Sequence, residues 1–359
     1  MLNIVDQKDN EKAIAFCDEF INSDKPKYIF GRNEFALSIA SFVEVDGFID
    51  DFTDEQDYLN KPIVKIEDVP KNALIVSSLI GKPLLAEKRL NEYEFNHLDY
   101  YAFYKYSALK LQQVMFWEGF VDDFKINRGK YEEIYSLLVD DISKNQFEKI
   151  INFRLSYNLD FMRGFKAIEE LQYFEGFLPL KTSGESFVDV GGFDGYTSEE
   201  FIKRCPDYKS VYFFEPEERN MNISKKRFEN NENINFFQMG LSDKKEALRF
   251  DIGGSSSKIS ENGSVQIEVD KLDDLISDPV TFIKMDIEGA ERNAIDGAKE
   301  TIKKYHPILA LCVYHQFDDF WQIPNQIFNI RNDYKIYLRH YTEGISETVM
   351  FFIPKTGQV

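Results

Sequence analysis

The chain has 359 residues, of which 43% are hydrophobic and 33 are Phe, so we expect a packed globular protein with room for two domains. Its formal net charge of −19, without a segregated Lys/Arg cluster, would repel a phosphate backbone and argues against nucleic acid as a partner. No apolar run approaches the roughly 20 residues that span a bilayer, the N-terminus has no signal-peptide pattern, and the 3 cysteines lack metal-ligand spacing, so we expect a cytoplasmic protein without membrane partners.

Residues 1–105 predict a small Rossmann-like α/β domain, because short apolar strands alternate with amphipathic helices. The predicted strands are 27–31, 45–50 and 73–78, and the predicted helices are 14–21 and 35–42. Gly31 stands alone where a dinucleotide-binding turn has three glycines, so NAD binding and an NAD-linked oxidoreductase are disfavoured. We expect this domain to be a scaffold that contacts a nucleotide-sugar or forms a homodimer.

A helical connector over 106–180 is predicted to lead into a second α/β domain over 181–359. The predicted strands of this domain are 187–191, 210–215, 234–238, 280–286, 307–313, 334–339 and 347–353, and the predicted helices are 196–204, 218–230, 290–304 and 320–331. Two extra strands, 247–252 and 265–269, flank a turn at 253–257. The last two strands are joined by a short turn, so we expect a seven-stranded, mostly parallel sheet with one reversed edge strand.

The first strand of this domain runs into glycines at Phe187-Val-Asp-Val-Gly-Gly-Phe-Asp-Gly195. Such a turn lets the backbone approach a ligand and aims helix N–H groups at an anion. Asp189 and Asp194 would repel a dinucleotide phosphate but attract an ammonium group, and the glycine spacing differs from that of NAD sites. We therefore predict that Asp189, Gly191 and Asp194 contact S-adenosylmethionine. An ordinary strand-to-helix turn is the alternative, but Glu215, at the end of the next apolar strand, stands where an acid binds ribose hydroxyls.

More carboxylates follow a later strand, in Phe282-Ile-Lys-Met-Asp286-Ile-Glu288-Gly-Ala-Glu291. Asp286 and Glu288 can point into one cleft, where such a pair can hold a divalent cation, act as a base or orient one. Capping of the following helix is the alternative, and it is strongest for Glu291. His315 ends a strand at the same sheet edge and has the intrinsic pKa of a general base.

Arg339, the last residue of the predicted strand 334–339, and His340, just past it, are candidate contacts for substrate hydroxyls or phosphate. Both residue types can donate hydrogen bonds to such groups. We therefore expect them on the acceptor side of the cleft.

Taken together, these segments and the runs Gly240-Leu-Ser-Asp243 and Val313-Tyr-His315 resemble the FkbM family of S-adenosylmethionine-dependent methyltransferases, over about 170–355. The resemblance implies a class I methyltransferase fold and O-methylation of hydroxyl groups, often on sugars or polyketides. It implies that the glycine loop and Glu215 hold the cofactor, that Gly240, Ser242 and Asp243 lie beside the adenine, and that Asp286 and Glu288 form an acidic cleft.

We therefore expect an O-methyltransferase that acts on a sugar hydroxyl, with a nucleotide-linked sugar destined for a bacterial surface glycan as its acceptor. His315, oriented by Asp286, is the candidate general base, and a cation held by Asp286 and Glu288 is the alternative way to lower the pKa of the hydroxyl. Two other functions stay open: a degenerate methyltransferase fold that only binds ligands, and a methyltransferase for another small-molecule hydroxyl.

Overall fold

Two mainly parallel β-sheets organise the computed structural model, which describes residues 1–6, 8–251, 258–259 and 265–355. The first sheet has the order β3-β4-β2-β1-β5-β6. Its strands are β1 (Lys27–Phe30), β2 (Gly47–Ile49), β3 (Asp57–Tyr58), β4 (Lys61–Val64), β5 (Leu74–Ser77) and β6 (Asn96–Asp99). Its helices are α1 (Glu11–Asn22), α2 (Glu34–Ala40), α3 (Pro83–Glu92) and α4 (Tyr100–Tyr106).

Three strands of this first sheet were not predicted from the sequence. β3 and β4 form a short hairpin at one edge, and β6 pairs with β5 at the other. The sequence of β6 is Asn-His-Leu-Asp, which lacks the apolar alternation that indicates a strand. These edge strands are therefore defined by their neighbours in the sheet rather than by their own composition.

Helices fill the space between the two sheets, namely α5 (Phe120–Leu137) and α6 (Asp141–Ser156), followed by 3₁₀ turns at Leu159–Met162 and Glu169–Leu171. Residues 107–119, predicted to be helical, form no helix. The connector packs tightly on its surroundings. The ring of Trp117 contacts those of Tyr101 and Phe153, with centroids 5.5 and 5.1 Å away. One hydrophobic core therefore runs from the first sheet through the connector into the second.

The second sheet has seven strands, which is the number that the sequence predicts. Their order is β16-β17-β15-β14-β7-β8-β9. They are β7 (Ser186–Val190), β8 (Ser210–Phe214), β9 (Ile234–Phe237), β14 (Phe282–Met285), β15 (Ile308–Cys312), β16 (Tyr334–His340) and β17 (Thr348–Pro354). A smaller sheet beside it contains β10 (Gly240–Leu241), β11 (Glu246–Asp251), β12 (Lys258–Ile259) and β13 (Val265–Asp270). The predicted turn at 253–257 lies outside the described residues.

The sequence predicts the reversed strand at the edge of the second sheet, but the structure places it one position inside the edge. β17 pairs antiparallel with both β15 and β16, which leaves β16 at the edge. The side chains explain this order, because β17 is buried along nearly its whole length, whereas β16 exposes Lys335. A strand that is apolar on both faces needs neighbours on both sides, and a charged side chain suits an edge.

Helices cover both faces of the second sheet: α7 (Tyr196–Arg204), α8 (Glu218–Arg227), α9 (Leu272–Leu275), α10 (Glu291–Gly297), α11 (Lys299–Tyr305) and α12 (Asp319–Ile330). The helix predicted over 290–304 is divided in two at Ala298, whose backbone leaves the helical region. Within the described ranges, no helix combines the length and the apolar character needed to cross a bilayer. The parallel strands β7, β8, β14 and β15 all end at one edge, which is where ligands bind in open α/β sheets.

Candidate active site

A cavity of about 440 Å³ opens at this carboxyl edge. Its walls come from the loops that follow β7, β8, β9 and β14 and from the turn between β16 and β17. The connector adds Gln172 and Tyr173, and the loop after β5 of the first sheet adds Gly81 and Lys82. That loop is fixed against the turn between β16 and β17, since a Cβ atom on Gly344 would lie 2.5 Å from the carbonyl oxygen of Ile80. The carboxyl edges of both sheets therefore contribute to one cavity.

The glycine loop after β7 lies directly against the end of β14. Gly191 has a φ of +77°, and a Cβ atom added to it would lie 2.0 Å from the carbonyl oxygen of Asp286. A Cβ atom on Gly192 would lie 2.1 Å from the ring of Phe213. No other residue fits either position without moving the backbone or a core ring. Gly191 lines the cavity, as the sequence predicts.

Asp189, predicted to contact the cofactor, is instead completely buried and does not line the cavity. Its carboxylate accepts a hydrogen bond from Ser198 Oγ at 2.7 Å and lies 3.3 Å from Lys284 Nζ. Lys284 also donates to the carbonyl oxygen of Gly191 at 2.6 Å. Burial alone would lower the pKa of Lys284, but Asp189 and Asp286 outweigh it and raise the pKa above its usual value. Asp189 and Lys284 thus hold the glycine loop in place through the carbonyl oxygen of Gly191.

Asp194 and Glu215 both line the cavity, where the sequence predicts them. Asp194 is paired with Arg227, whose Nη2 lies 2.8 Å from its carboxylate. Glu215 accepts hydrogen bonds from the backbone N–H groups of Phe193 at 2.9 Å and Glu217 at 2.8 Å. Burial raises the pKa of Glu215 to about 7. These backbone bonds fix the Glu215 carboxylate at the wall of the cavity.

Of the three residues predicted beside the adenine, only Gly240 lines the cavity. Ser242 is buried and donates its backbone N–H to Asp270 and its hydroxyl to Asp243. Neither Ser242 nor Asp243, which follow β10, lines the cavity. The apolar side chains that take this place are Met239, Leu241, Ile267 and Val269.

Asp286 and Glu288, predicted to follow one strand, and His315, predicted to follow the next, come together at the cavity. Their ligand-type atoms lie within 4.8 Å of one another. His315 Nε2 is 3.6 Å from Asp286 Oδ1 and 3.6 Å from Glu288 Oε2. The hydrogen bond that orients the imidazole is made by Glu291 rather than by Asp286, since His315 Nδ1 lies 2.9 Å from Glu291 Oε1. Glu288 has a φ of +54°, a left-handed conformation that a residue with a long side chain rarely adopts.

The ionisable side chains of this cluster shift one another's pKa values. Burial alone would lower the pKa of His315, but Glu291, Asp286 and Glu288 outweigh it and raise the pKa to about 10. Burial raises the pKa of Glu288 to about 7. Burial also opposes ionisation of Asp286, yet Lys284 and His315 keep its pKa below the usual value. Without another cation, the raised pKa of His315 therefore favours the protonated imidazole at neutral pH, which disfavours its predicted role as a general base.

Sequence reasoning missed the residues that complete this cluster. Tyr173, from the connector, donates its hydroxyl to Asp286 Oδ2 at 2.7 Å. Glu347, in the turn between β16 and β17, accepts hydrogen bonds from Gln172 and from the Tyr314 hydroxyl. Burial raises the pKa of Glu347 to about 7. Neither Tyr173 nor Glu347 belongs to a recognisable motif, so only the tertiary fold identifies them.

Arg339 and His340, predicted to bind substrate, do not line the cavity. Arg339 is buried and pairs with Asp140 at the start of α6, at 2.7 Å. His340 is buried and bonds Thr348 Oγ1 at 2.8 Å. Burial lowers the pKa of His340 to about 3. Both side chains hold β16 against its neighbours. The structure therefore gives Arg339 and His340 a structural role in place of the predicted substrate contacts.

The known proteins that this chain resembles are methyltransferases. The family model of the Methyltransferase FkbM domain matches residues 189–343. The 2-O-methyltransferase NoeI of Sinorhizobium fredii is 26% identical over 143 residues, which cover 33% of this chain and 58% of that protein, so the chain spans little more than half the length of this curated relative.

The crystal structure of Methyltransferase FkbM from Methylobacillus flagellatus has a TM-score of 0.77 at 22% identity, and the match covers 96% of this chain and 93% of that one. The two proteins share their fold over both halves, which confirms the predicted class I methyltransferase architecture. The matched segment, residues 189–343, contains the glycine loop from Asp189 onward, Glu215 and the cluster around His315. Residues 189–343 therefore match the Methyltransferase FkbM domain, which confirms the family resemblance of the sequence.

Proposed function

We propose that the protein transfers a methyl group from S-adenosylmethionine to a hydroxyl of a sugar, and that this sugar is linked to a nucleotide. The observation that carries the proposal is that two groups of residues line one cavity, which we call its cofactor side and its acceptor side. The glycine loop and Glu215 form the cofactor side, and Asp286 and Glu288, with His315 behind them, form the acceptor side. The printed name of the relative NoeI, a 2-O-methyltransferase, supports oxygen as the atom that is methylated.

The residues on the cofactor side fit S-adenosylmethionine. Its ribose hydroxyls are suited to the carboxylate of Glu215, which two backbone N–H groups hold in place. Its adenine is suited to the apolar wall formed by Met239, Leu241 and Ile267. The volume of about 440 Å³ lies within the range of roughly 300–1,000 Å³ for small-molecule sites. When bound, this cofactor supplies an electrophilic methyl group on a sulfonium ion.

The residues on the acceptor side fit a hydroxylated and anionic acceptor. Gln172, Thr342 and Ser346 offer hydrogen-bonding groups along the wall of the cavity. Lys82 stands exposed at the rim and is contributed by the first sheet. An ammonium group in this position favours a phosphate, which is why we propose a nucleotide-linked sugar and assign its recognition to the N-terminal half. Use of the product in a surface glycan stays a prediction.

The acceptor hydroxyl must lose a proton during the reaction. We propose that the cluster of Asp286, Glu288 and His315 withdraws it, and general-base catalysis of this kind is worth roughly 10²–10⁴ in rate. His315 is poorly prepared to accept a proton directly, because its pKa is raised to about 10. A cation held by the cluster would lower the pKa of the hydroxyl without that difficulty.

Calorimetric titration with S-adenosylmethionine tests the cofactor side. We expect binding by the wild type and weaker binding by Glu215→Ala, whereas Glu229→Ala, which alters an exposed acid outside the cavity, should bind as the wild type does. Mass spectrometry of nucleotide-sugars incubated with enzyme and cofactor should then detect a methylated product. A wild type that binds no S-adenosylmethionine would contradict the proposal and favour the alternative of a degenerate fold that only binds other ligands.

A further inference from the structure

We propose that Asp286, Glu288 and His315 bind a divalent transition-metal cation, and that His315 Nε2 is one of its ligands. The proposal deepens the proposed function, because the cation would sit on the acceptor side of the same cavity. It does not depend on methyl transfer for its test, since metal binding can be measured alone. Three features of the cluster carry it.

The first feature is the spacing of the donor atoms. His315 Nε2 lies 3.6 Å from one carboxylate oxygen of Asp286 and 3.6 Å from one of Glu288. A tetrahedral site with bonds of about 2.1 Å separates its donor atoms by roughly 3.4 Å. Two of the three separations are close to this value, and all three atoms lie within 4.8 Å of one another. They are too far apart for good hydrogen bonds to one another.

The second feature is the buried nitrogen itself. The His315 side chain has 0% relative exposure, and its Nε2 has no hydrogen-bond partner among the described residues. A buried polar atom without a partner is costly, so native proteins rarely leave one without a purpose. This nitrogen is aimed between two carboxylates that line the cavity, while His315 itself stands behind them. A cation there would satisfy Nε2 and remain accessible from the cavity.

The third feature is the support behind the imidazole. Glu291 accepts the Nδ1–H of His315 at 2.9 Å, which leaves Nε2 as the acceptor atom in the neutral ring. The same carboxylate accepts the backbone N–H groups of Ile287 at 2.8 Å and Gly289 at 3.0 Å. Glu291 therefore orients the imidazole and also fixes the left-handed backbone of Glu288. Carboxylate–histidine pairs of this type are the usual support of a metal-bound histidine.

The ligand set indicates the class of cation. Two carboxylate oxygens and one imidazole nitrogen suit Mn²⁺, Fe²⁺, Co²⁺ or Zn²⁺, whereas Mg²⁺ prefers oxygen ligands and retained water. Three protein ligands also leave positions open toward the cavity, as in catalytic rather than structural metal sites. The competing occupant is a proton on His315, which would place one positive charge among the same carboxylates.

The test uses the full-length protein stripped with a chelator and titrated with Mn²⁺ alone, with free Mn²⁺ counted by electron paramagnetic resonance. We expect one site per chain, and an absorption spectrum of a low-symmetry site when Co²⁺ is added instead. His315→Gln and Glu288→Gln should each weaken Mn²⁺ binding by at least tenfold. Glu291→Gln, which can still accept the Nδ1–H, should weaken it by about 10–100-fold.

His97→Gln is the matched control, because it removes an imidazole from β6, outside the cavity. It should bind Mn²⁺ as the wild type does, and circular dichroism should show that every variant is folded. The proposal is overturned if the folded wild type binds neither Mn²⁺ nor Co²⁺, or if His315→Gln binds them equally well. Titration of the same samples with S-adenosylmethionine separates this outcome from failure of the proposed function, since cofactor binding would then persist without a metal.

Discussion

Lys284 and Asp189 lie directly opposite each other on the neighbouring strands β14 and β7, with their charged atoms 3.3 Å apart and almost no exposure to solvent. The pair supports the glycine loop, because Lys284 also donates to the carbonyl oxygen of Gly191. An acid next to a glycine motif can thus serve the fold rather than the ligand.

The energetic coupling of this pair can be measured with a double-mutant cycle. Removing one partner of a buried ion pair leaves an uncompensated charge and costs about 3–5 kcal/mol. We therefore expect Lys284→Met and Asp189→Leu each to lower the free energy of unfolding in urea by about that amount. The double variant should lose clearly less than the sum of the two. Strictly additive losses would show that the two charges do not interact.

The close approach of the glycine loop to β14 makes Gly191→Ala a sharp test of the cofactor side. The new Cβ atom would lie 2.0 Å from a backbone oxygen of Asp286, at a φ of +77° that alanine disfavours. We expect at least a tenfold loss of affinity for S-adenosylmethionine in calorimetry. Gly129→Ala is the control, since its Cβ atom meets nothing within 4 Å and α5 should gain up to about 1 kcal/mol. Unchanged affinity in Gly191→Ala would contradict the assigned position of the cofactor.

The contribution of the connector to the acceptor side is tested by Tyr173→Phe. This change removes the hydroxyl that donates to Asp286 Oδ2 at 2.7 Å and leaves the ring in place. We expect a loss of about 0.5–1.5 kcal/mol in unfolding free energy and a fall in kcat of about tenfold with little change in KM. Tyr208→Phe, which loses a hydroxyl bond to the carbonyl oxygen of Glu232, should reduce stability only. Equal turnover in the two variants would exclude Tyr173 from the active site.

The buried His340 predicts a measurable pH dependence of stability. Its pKa is lowered to about 3, so between that pH and about 6.5 the unfolded chain binds a proton that the folded protein excludes. This group therefore destabilises the fold as pH falls, by about 1.4 kcal/mol per pH unit. In His340→Gln this contribution disappears, so unfolding free energies measured from pH 4 to 6 should fall less steeply than those of the wild type. Parallel curves would show that His340 becomes charged in the folded state.

The sequence predicts the positions of site residues that follow strands, because parallel strands end at one edge of a sheet. Gly191, Glu215, Asp286 and His315 lie at this edge of the seven-stranded sheet, while their roles stay predictions. What a motif does not indicate is the direction of a side chain. Asp189 alternates with Val188 and Val190 along β7, and only the packing of Lys284 beside it shows that its carboxylate is buried in an ion pair and does not line the cavity.

The residues that the sequence could not reveal join the site through tertiary packing. Tyr173 is 113 positions before Asp286, and Gln172 is 175 positions before its partner Glu347. No local pattern connects such distant positions, because their contact depends on how the connector packs against the second sheet. The interior position of β17 has the same origin, since it depends on which strand carries side chains that tolerate solvent at the edge of the sheet.

The loop after β5 and the turn between β16 and β17 are held together, since a Cβ atom on Gly344 would meet the backbone of Ile80, and Glu343 accepts the N–H of Leu85 in α3. The proposed acceptor would therefore be recognised jointly by segments that are more than 250 positions apart in the chain. Chimeras between relatives that exchange only the N-terminal half would separate two surfaces that fit each other. Engineering a new acceptor would require grafting the loop and the turn as a matched pair.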